Sequence, residues 1–117
     1  MMHREIFYNL NASYGPFTLD VAADSNGYNA QCFSYCSPNK SFLTTAATHH
    51  RVWCNPPFPH AANFLQHYLD CKAKSPTTTS AMFVLPQWLT AAWLPLTSTF
   101  RAIPHTGWLL YTMTPWQ

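Results

Sequence analysis

The spacing of apolar residues changes along the chain, and each change marks an element. Ile6, Phe7, Leu10 and Tyr14 recur at three- and four-residue intervals and predict a short leading helix ending before Gly15-Pro16. Phe17-Thr18-Leu19-Asp20-Val21 is strand-like, and Asp24-Ser25-Asn26-Gly27 is a strong turn signal. Residues 37 to 50 are polar and Ser/Thr-rich, with no period to read. Arg51-Val52-Trp53-Cys54 is a short apolar strand stopped by Asn55-Pro56-Pro57. After Pro59, the positions of Ala61, Phe64, Leu65, Tyr68, Leu69 and Lys72 predict an amphipathic helix, ended by Ser75-Pro76-Thr77-Thr78-Thr79. Ala81-Met82-Phe83-Val84-Leu85 is apolar throughout, as expected of a strand buried on both faces. Trp88 to Trp93 suits a helical turn or two before Pro95. Phe100 to Ile103, Pro104-His105-Thr106-Gly107 and Trp108 to Thr112 then read as a strand, a turn and a returning strand.

Strands alternating with helices predict an α/β architecture. The 117 residues are expected to form a single domain, 1–117, without repeats, linkers or low-complexity tracts. Charged residues make up 9% and aromatics 16%. Since about 25% charged is ordinary, part of the surface is expected to face a partner, either a neighbouring domain of a larger polyprotein or another copy in a homo-oligomer. The net charge of +2 permits nucleic acid as a partner without arguing for it, because Arg4, Lys40, Arg51, Lys72, Lys74 and Arg101 are scattered. Lys72 and Lys74 read as a solvated helix end favoured by the helix dipole, or as a contact to a DNA backbone. No apolar run approaches the length of a membrane span. The start, Met1-Met2-His3-Arg4-Glu5, runs polar within a few residues, so no secretory signal is expected. Cys32, Cys36, Cys54 and Cys71 are therefore read as reduced thiols of an intracellular protein of the cytoplasm or nucleus.

The most informative tetrad is Asn55-Pro56-Pro57-Phe58. Two prolines fix their own backbone dihedrals and push Asn55 into an extended conformation. The loop has lost two N–H donors, so the Asn55 amide oxygen and the Pro56 carbonyl become acceptors at the carboxyl end of a strand, the edge where ligands bind in open α/β sheets. Two such acceptors can hold both hydrogens of an amino group conjugated to a ring or carbonyl. Phe58 offers a flat face on which a planar base can stack, worth roughly 1–3 kcal/mol. The plain alternative is a rigid Pro-Pro turn, with Asn55 capping it.

The succession Phe17-Thr18-Leu19-Asp20-Val21-Ala22-Ala23, Asn29-Ala30 with Tyr35, Val52-Trp53-Cys54-Asn55-Pro56-Pro57-Phe58 and Phe83-Val84-Leu85-Pro86 resembles the phage-type Dam family of DNA adenine (N-6) methyltransferases, including versions carried in DIRS-type retrotransposon polyproteins. The likeness covers roughly residues 5 to 112. It implies a truncated class I (Rossmann-like) methyltransferase sheet with helices on both faces and a C-terminal antiparallel hairpin. It also implies S-adenosyl-L-methionine as cofactor and DNA as partner, with the target base flipped out for direct methyl transfer and no metal required. Asn55, Pro56, Pro57 and Phe58 would be the catalytic loop; Asp20, Ala22, Ala23 and Asp24 would bind the cofactor. The chain departs from the family in two ways. Ala22-Ala23 stand in for a glycine-rich loop. Lys40-Ser41 stand where members usually carry an acid, leaving Asp24 as the carboxylate able to replace it.

Other readings of the same residues are a methyltransferase-like domain that binds nucleic acid or a partner without catalysis, and a protein-glutamine methyltransferase, whose substrate also presents a planar amide. A zinc module built on Cys32, Cys36, His49 and His50 is disfavoured because the two histidines are adjacent. The plainer reading has Cys32, Cys36 and Cys54 as buried small thiols, with Cys54 alternatively lining the pocket, and Cys71 on the helix. Trp88, Trp93, Trp108 and Trp116 read as core or interface rather than as a stacking platform, and Asp20 alternatively as a cap on the turn after its strand.

Overall fold

A computed structural model of the chain describes residues 4–86, 91–105 and 108–113, excluding the side chains of residues 4, 58, 86, 104–105 and 108–113. The first helix, α1, spans Arg4–Tyr14, and the second, α2, spans Ala61–Lys74. The strands are β1 (Leu19–Asp20), β2 (Arg51–Cys54), β3 (Ser80–Pro86), β4 (Arg101–His105) and β5 (Trp108–Met113). They form one sheet in the order β1-β2-β3-β5-β4. The first three are parallel, and β5 runs antiparallel to both β3 and β4. The chain is therefore a mixed α/β domain, as the alternation of periods predicts.

Strand alternation divides the core into two layers. Leu19, Val21, Val52, Cys54, Ala81, Phe83 and Leu85 point to one face, where Leu65, Tyr68 and Cys71 of α2 cover them. Trp53, Met82 and Val84 point to the other, where Phe7 and Leu10 of α1 pack. The Phe7 ring meets the Trp53 ring edge-on, with centroids 4.8 Å apart. Burial of Phe7 and Leu10 holds α1 to the sheet, contributing about 1.5–3 kcal/mol for each side chain. The helix ends where Gly15 N–H donates to the Asn11 carbonyl at 2.9 Å and Phe17 N–H to Asn11 Oδ1 at 2.8 Å. A Cβ on Gly15 would sit 2.5 Å from Asn11 Oδ1, so this stop requires glycine.

Several expectations are corrected. Lys72 is buried, not solvated: its ammonium donates to the Pro76 carbonyl at 2.6 Å and the Thr79 carbonyl at 2.7 Å, capping the turn that follows α2. Cys32, expected to be a buried thiol, is only half-buried, whereas Cys71 lies on α2 as expected and is buried there. Residues 37–50 contain a 3₁₀ turn, Phe42–Thr44, capped by Ser41 Oγ on the Leu43 N–H, and they insert Phe42 and Ala47 into the α2-side core. Pro104 and His105 belong to β4 rather than to a turn. Of the segment read as a helix before Pro95, Trp88 to Thr90 lie outside the described residues. Beyond them Trp93 is buried, and a 3₁₀ turn over Leu94–Thr97 contains Pro95. Thr106, Gly107 and Trp116 also lie outside the described residues, as does the Trp108 side chain. Among the described residues no helix is long and apolar enough to cross a membrane.

Tyr68 is fully buried between Phe83 and Phe100, with ring centroids 5.6 and 5.9 Å away. Among the described residues its hydroxyl is the buried side-chain polar atom that has no hydrogen-bond partner. An unpaired buried hydroxyl costs about 1–3 kcal/mol. Tyr68→Phe should therefore raise the unfolding free energy by about 1 kcal/mol in urea titrations; a loss of stability would show that the hydroxyl has a partner.

Candidate active site

The pairing of β1 with β2 decides which loops meet. Leu19 lies opposite Val52 and Asp20 opposite Trp53, in parallel register. Thr18 N–H donates to the Arg51 carbonyl at 2.8 Å and Val21 N–H to the Trp53 carbonyl at 3.1 Å, extending the ladder beyond both ends of β1. The chain after Asp20 and the chain after Cys54 thus leave the same end of the sheet side by side. Both terminate apolar strands, and the parallel register puts them at one edge.

The loop after β1 is held by the Asp20 carboxylate. One oxygen accepts the Ala22 N–H at 3.1 Å, and the other accepts the Gln31 N–H at 2.8 Å. Asp20 N–H in turn donates to the Ser34 carbonyl, and Cys36 N–H donates to the Asp20 carbonyl at 2.7 Å, laying residues 34–36 along the free edge of β1. The enclosed loop is tied further by Asp24 N–H to Asn29 Oδ1 at 2.6 Å and Gly27 N–H to the Asp24 carbonyl at 3.0 Å. Gly27 has a φ of +74°, and a Cβ there would lie 2.5 Å from the Tyr35 ring. Only glycine fits both the backbone and the ring packed on it.

On the β2 side, Asn55 is half-buried, Pro56 buried and Pro57 exposed. The Pro57 carbonyl accepts the His60 N–H at 2.9 Å, closing the 3₁₀ turn Phe58–His60 that leads into α2. The stiff tetrad therefore joins strand to helix directly. The Phe58 side chain lies outside the described residues.

Between the two loops lies a cavity of about 730 Å³. Ala22, Ala23 and Asp24 line one side; Asn55, Pro56 and Pro57 line the other. Asp20 is not on the lining. It is buried beneath it and bonded to the loop's own amides, so the structure places it as the capping reading had it. Cys54 is fully buried in the core and does not line the cavity. Asn29, Ser41, His60 and Phe64 do line it, and the sequence reading assigns none of them to the site, although Lys40-Ser41 stands where family members usually carry an acid. For Asn29 a signal existed, since it belongs to the stretch that carries the family likeness. His60 and Phe64 are placed by the turn and the first turn of α2, which the tetrad alone does not specify. Asp24 is the one carboxylate among the described lining residues.

The other chemically suggestive side chains are engaged elsewhere. His49 Nδ1 lies 2.7 Å from Thr78 Oγ1, and His50 Nδ1 lies 2.9 Å from Thr18 Oγ1. Among the described residues no three His, Cys, Asp or Glu side chains converge. Burial pushes the Cys54 thiol up, with the Asp20 carboxylate adding to the effect, and the same two causes raise Cys32 to about 12; burial also raises Cys36, against the opposing Thr45 hydrogen bond and Lys40 charge.

The family model for DNA N-6-adenine-methyltransferase (Dam) matches residues 2–102. The chain belongs to this family. Among curated proteins, none matches it. The matched span contains both loops of the cavity and ends within β4. Methyl transfer to adenine in DNA is the activity that defines the Dam family.

Burial raises the Asp20 carboxyl above its ordinary value of 3.8, outweighing the lowering by the Gln31 and Ala22 N–H groups. The folded state then holds this proton more tightly than the unfolded state does. The group's contribution to stability is full below pH 3.8 and is lost as pH rises through the raised folded value. Asp20→Asn does not titrate and should flatten that part of the profile. Urea unfolding of both proteins across acidic pH tests this, and identical pH profiles would refute the assignment.

Proposed function

We propose that the chain transfers a methyl group from S-adenosylmethionine to the exocyclic amino group of adenine in DNA, within a reduced class I (Rossmann-like) methyltransferase sheet. The observation that carries this reading is that Ala22-Ala23-Asp24 and Asn55-Pro56-Pro57 face one another across a single cavity. Its volume of about 730 Å³ is within the range of small-molecule and cofactor sites. The three parallel strands and the antiparallel β5 are compatible with such a sheet.

The residues present suit the cofactor. When bound, S-adenosylmethionine supplies an electrophilic methyl group. The small side chains of Ala22 and Ala23 let the loop backbone approach a ligand, as glycines do elsewhere. Asp24 places a negative charge where a cationic cofactor needs one, and Asp20 holds the loop in shape from behind. Asn55 Oδ1 and the Pro56 carbonyl accept the two hydrogens of the adenine amino group, fixing its plane and leaving the nitrogen lone pair directed out of it. Phe58 is assigned the flat face against the flipped base. Rate comes from positioning and exclusion of water, which suits a pocket with one charged lining residue among those described.

Asn55→Ala removes one of the two acceptors and leaves the β1 loop untouched. Contacts of this kind contribute a few kcal/mol in the transition state, so turnover should fall by about a hundredfold or more with cofactor affinity nearly unchanged. Asp20→Ala should show the reverse, losing cofactor affinity first. Tritiated-methyl transfer to DNA and calorimetric cofactor binding on the same preparations check both. A chain that binds cofactor but labels no DNA would refute the proposal.

A further inference from the structure

A second cavity, of about 500 Å³, shares Ser37 with the first and is lined by Phe33, Tyr35, Lys40, Thr45 and His50 among others. Its described lining contains a cation, a histidine and several hydroxyls, but no carboxylate. Phe33 is fully exposed. Its neighbours are tied down on both sides: Gln31 N–H to the Asp20 carboxylate, the Cys32 thiol to the Phe17 carbonyl at 3.7 Å, and the Ser34 carbonyl to Asp20 N–H at 3.1 Å. The backbone that carries the ring is thus held by the contacts that shape the β1 loop. A benzyl group held in water on a pinned backbone, beside a lysine and a set of hydroxyls, has the make-up of a nucleotide subsite.

The charge inventory points the same way. The chain has six lysines and arginines. The Lys72 ammonium is engaged by two carbonyls, and the Arg51 guanidinium donates to the Tyr14 carbonyl at 3.1 Å. At most four cations, Lys40 among them, are left to meet phosphates, so affinity for DNA draws more on stacking than in a strongly basic binder.

We propose that this second cavity holds the nucleotide next to the target adenine on the same DNA strand, with Phe33 stacking on its base and Lys40 meeting its phosphate. The assignment rests on the proposed DNA substrate, and it extends the site by one nucleotide.

The test uses the full chain and oligonucleotides containing one target adenine, either flanked on both sides or ending at the adenine on one side. Binding is followed by fluorescence anisotropy across a salt series. In the parent chain, removing the flank on one side should weaken binding about tenfold. Phe33→Ala should bind the full oligonucleotide about tenfold more weakly, and the same truncation should then cost nothing further. Its urea midpoint and its calorimetric affinity for S-adenosylmethionine should match the parent. Lys40→Gln should reduce the slope of log affinity against log salt by about one. If Phe33→Ala binds like the parent, or if truncation costs it as much as it costs the parent, the subsite is refuted. Phe33-dependent binding without methyl transfer supports the subsite while refuting the proposed function. A parent chain that binds no DNA overturns both.

Discussion

The site hangs on a very short stretch of parallel sheet. Leu19 and Asp20 are the only residues of β1, yet their pairing with Val52 and Trp53 brings the two candidate loops together. So short a strand cannot hold itself in place by ladder hydrogen bonds alone. It is held because Leu19 and Val21 are buried in one layer of the core, and because the Asp20 carboxylate gathers amides from two later points in the chain. Most carboxylates sit at the surface, and this one is desolvated. Its burial makes sense only with the loop it organises.

Elsewhere stability comes from aromatic packing rather than charge. Trp53 is wedged against Phe7 and Phe17 on one face of the sheet, and Phe83, Tyr68 and Phe100 form a second cluster on the other. The strand between them, β3, is buried on both sides, which explains its unbroken apolar run. The one buried lysine, Lys72, is solvated by backbone carbonyls in place of water.

Elements with a sustained period were legible from the residues alone. α1, β2 and α2 fall where the apolar spacing places them, because their packing faces are continuous. The stretch 37–50 was not, since it contributes Phe42 and Ala47 to the core one at a time, through a capped turn that leaves no repeat. Lys72 was misread for a related reason. Its helical position says it lies near α2's end, but the carbonyls that receive it belong to a loop whose path depends on tertiary packing. At the site, Asn55 and its prolines stood out because their stiffness is local chemistry. His60 and Phe64 reach the same cavity from the turn and helix that follow, and no local pattern joins them to it.

The buried cysteines bear on the proposed chemistry from an unexpected side. An enzyme that stores an alkylating sulfonium must protect itself, since thiolates are the most reactive nucleophiles a protein carries at neutral pH. Cys54 directly precedes Asn55, and Cys36 directly precedes Ser37 on the cavity wall. Cys54 is sealed in the core, Cys36 is buried although it borders the second cavity, and desolvation pushes both thiols up. Under the proposed function, burial rather than the absence of cysteine is what would keep these sulfur atoms from competing with a weaker amine nucleophile for the methyl group.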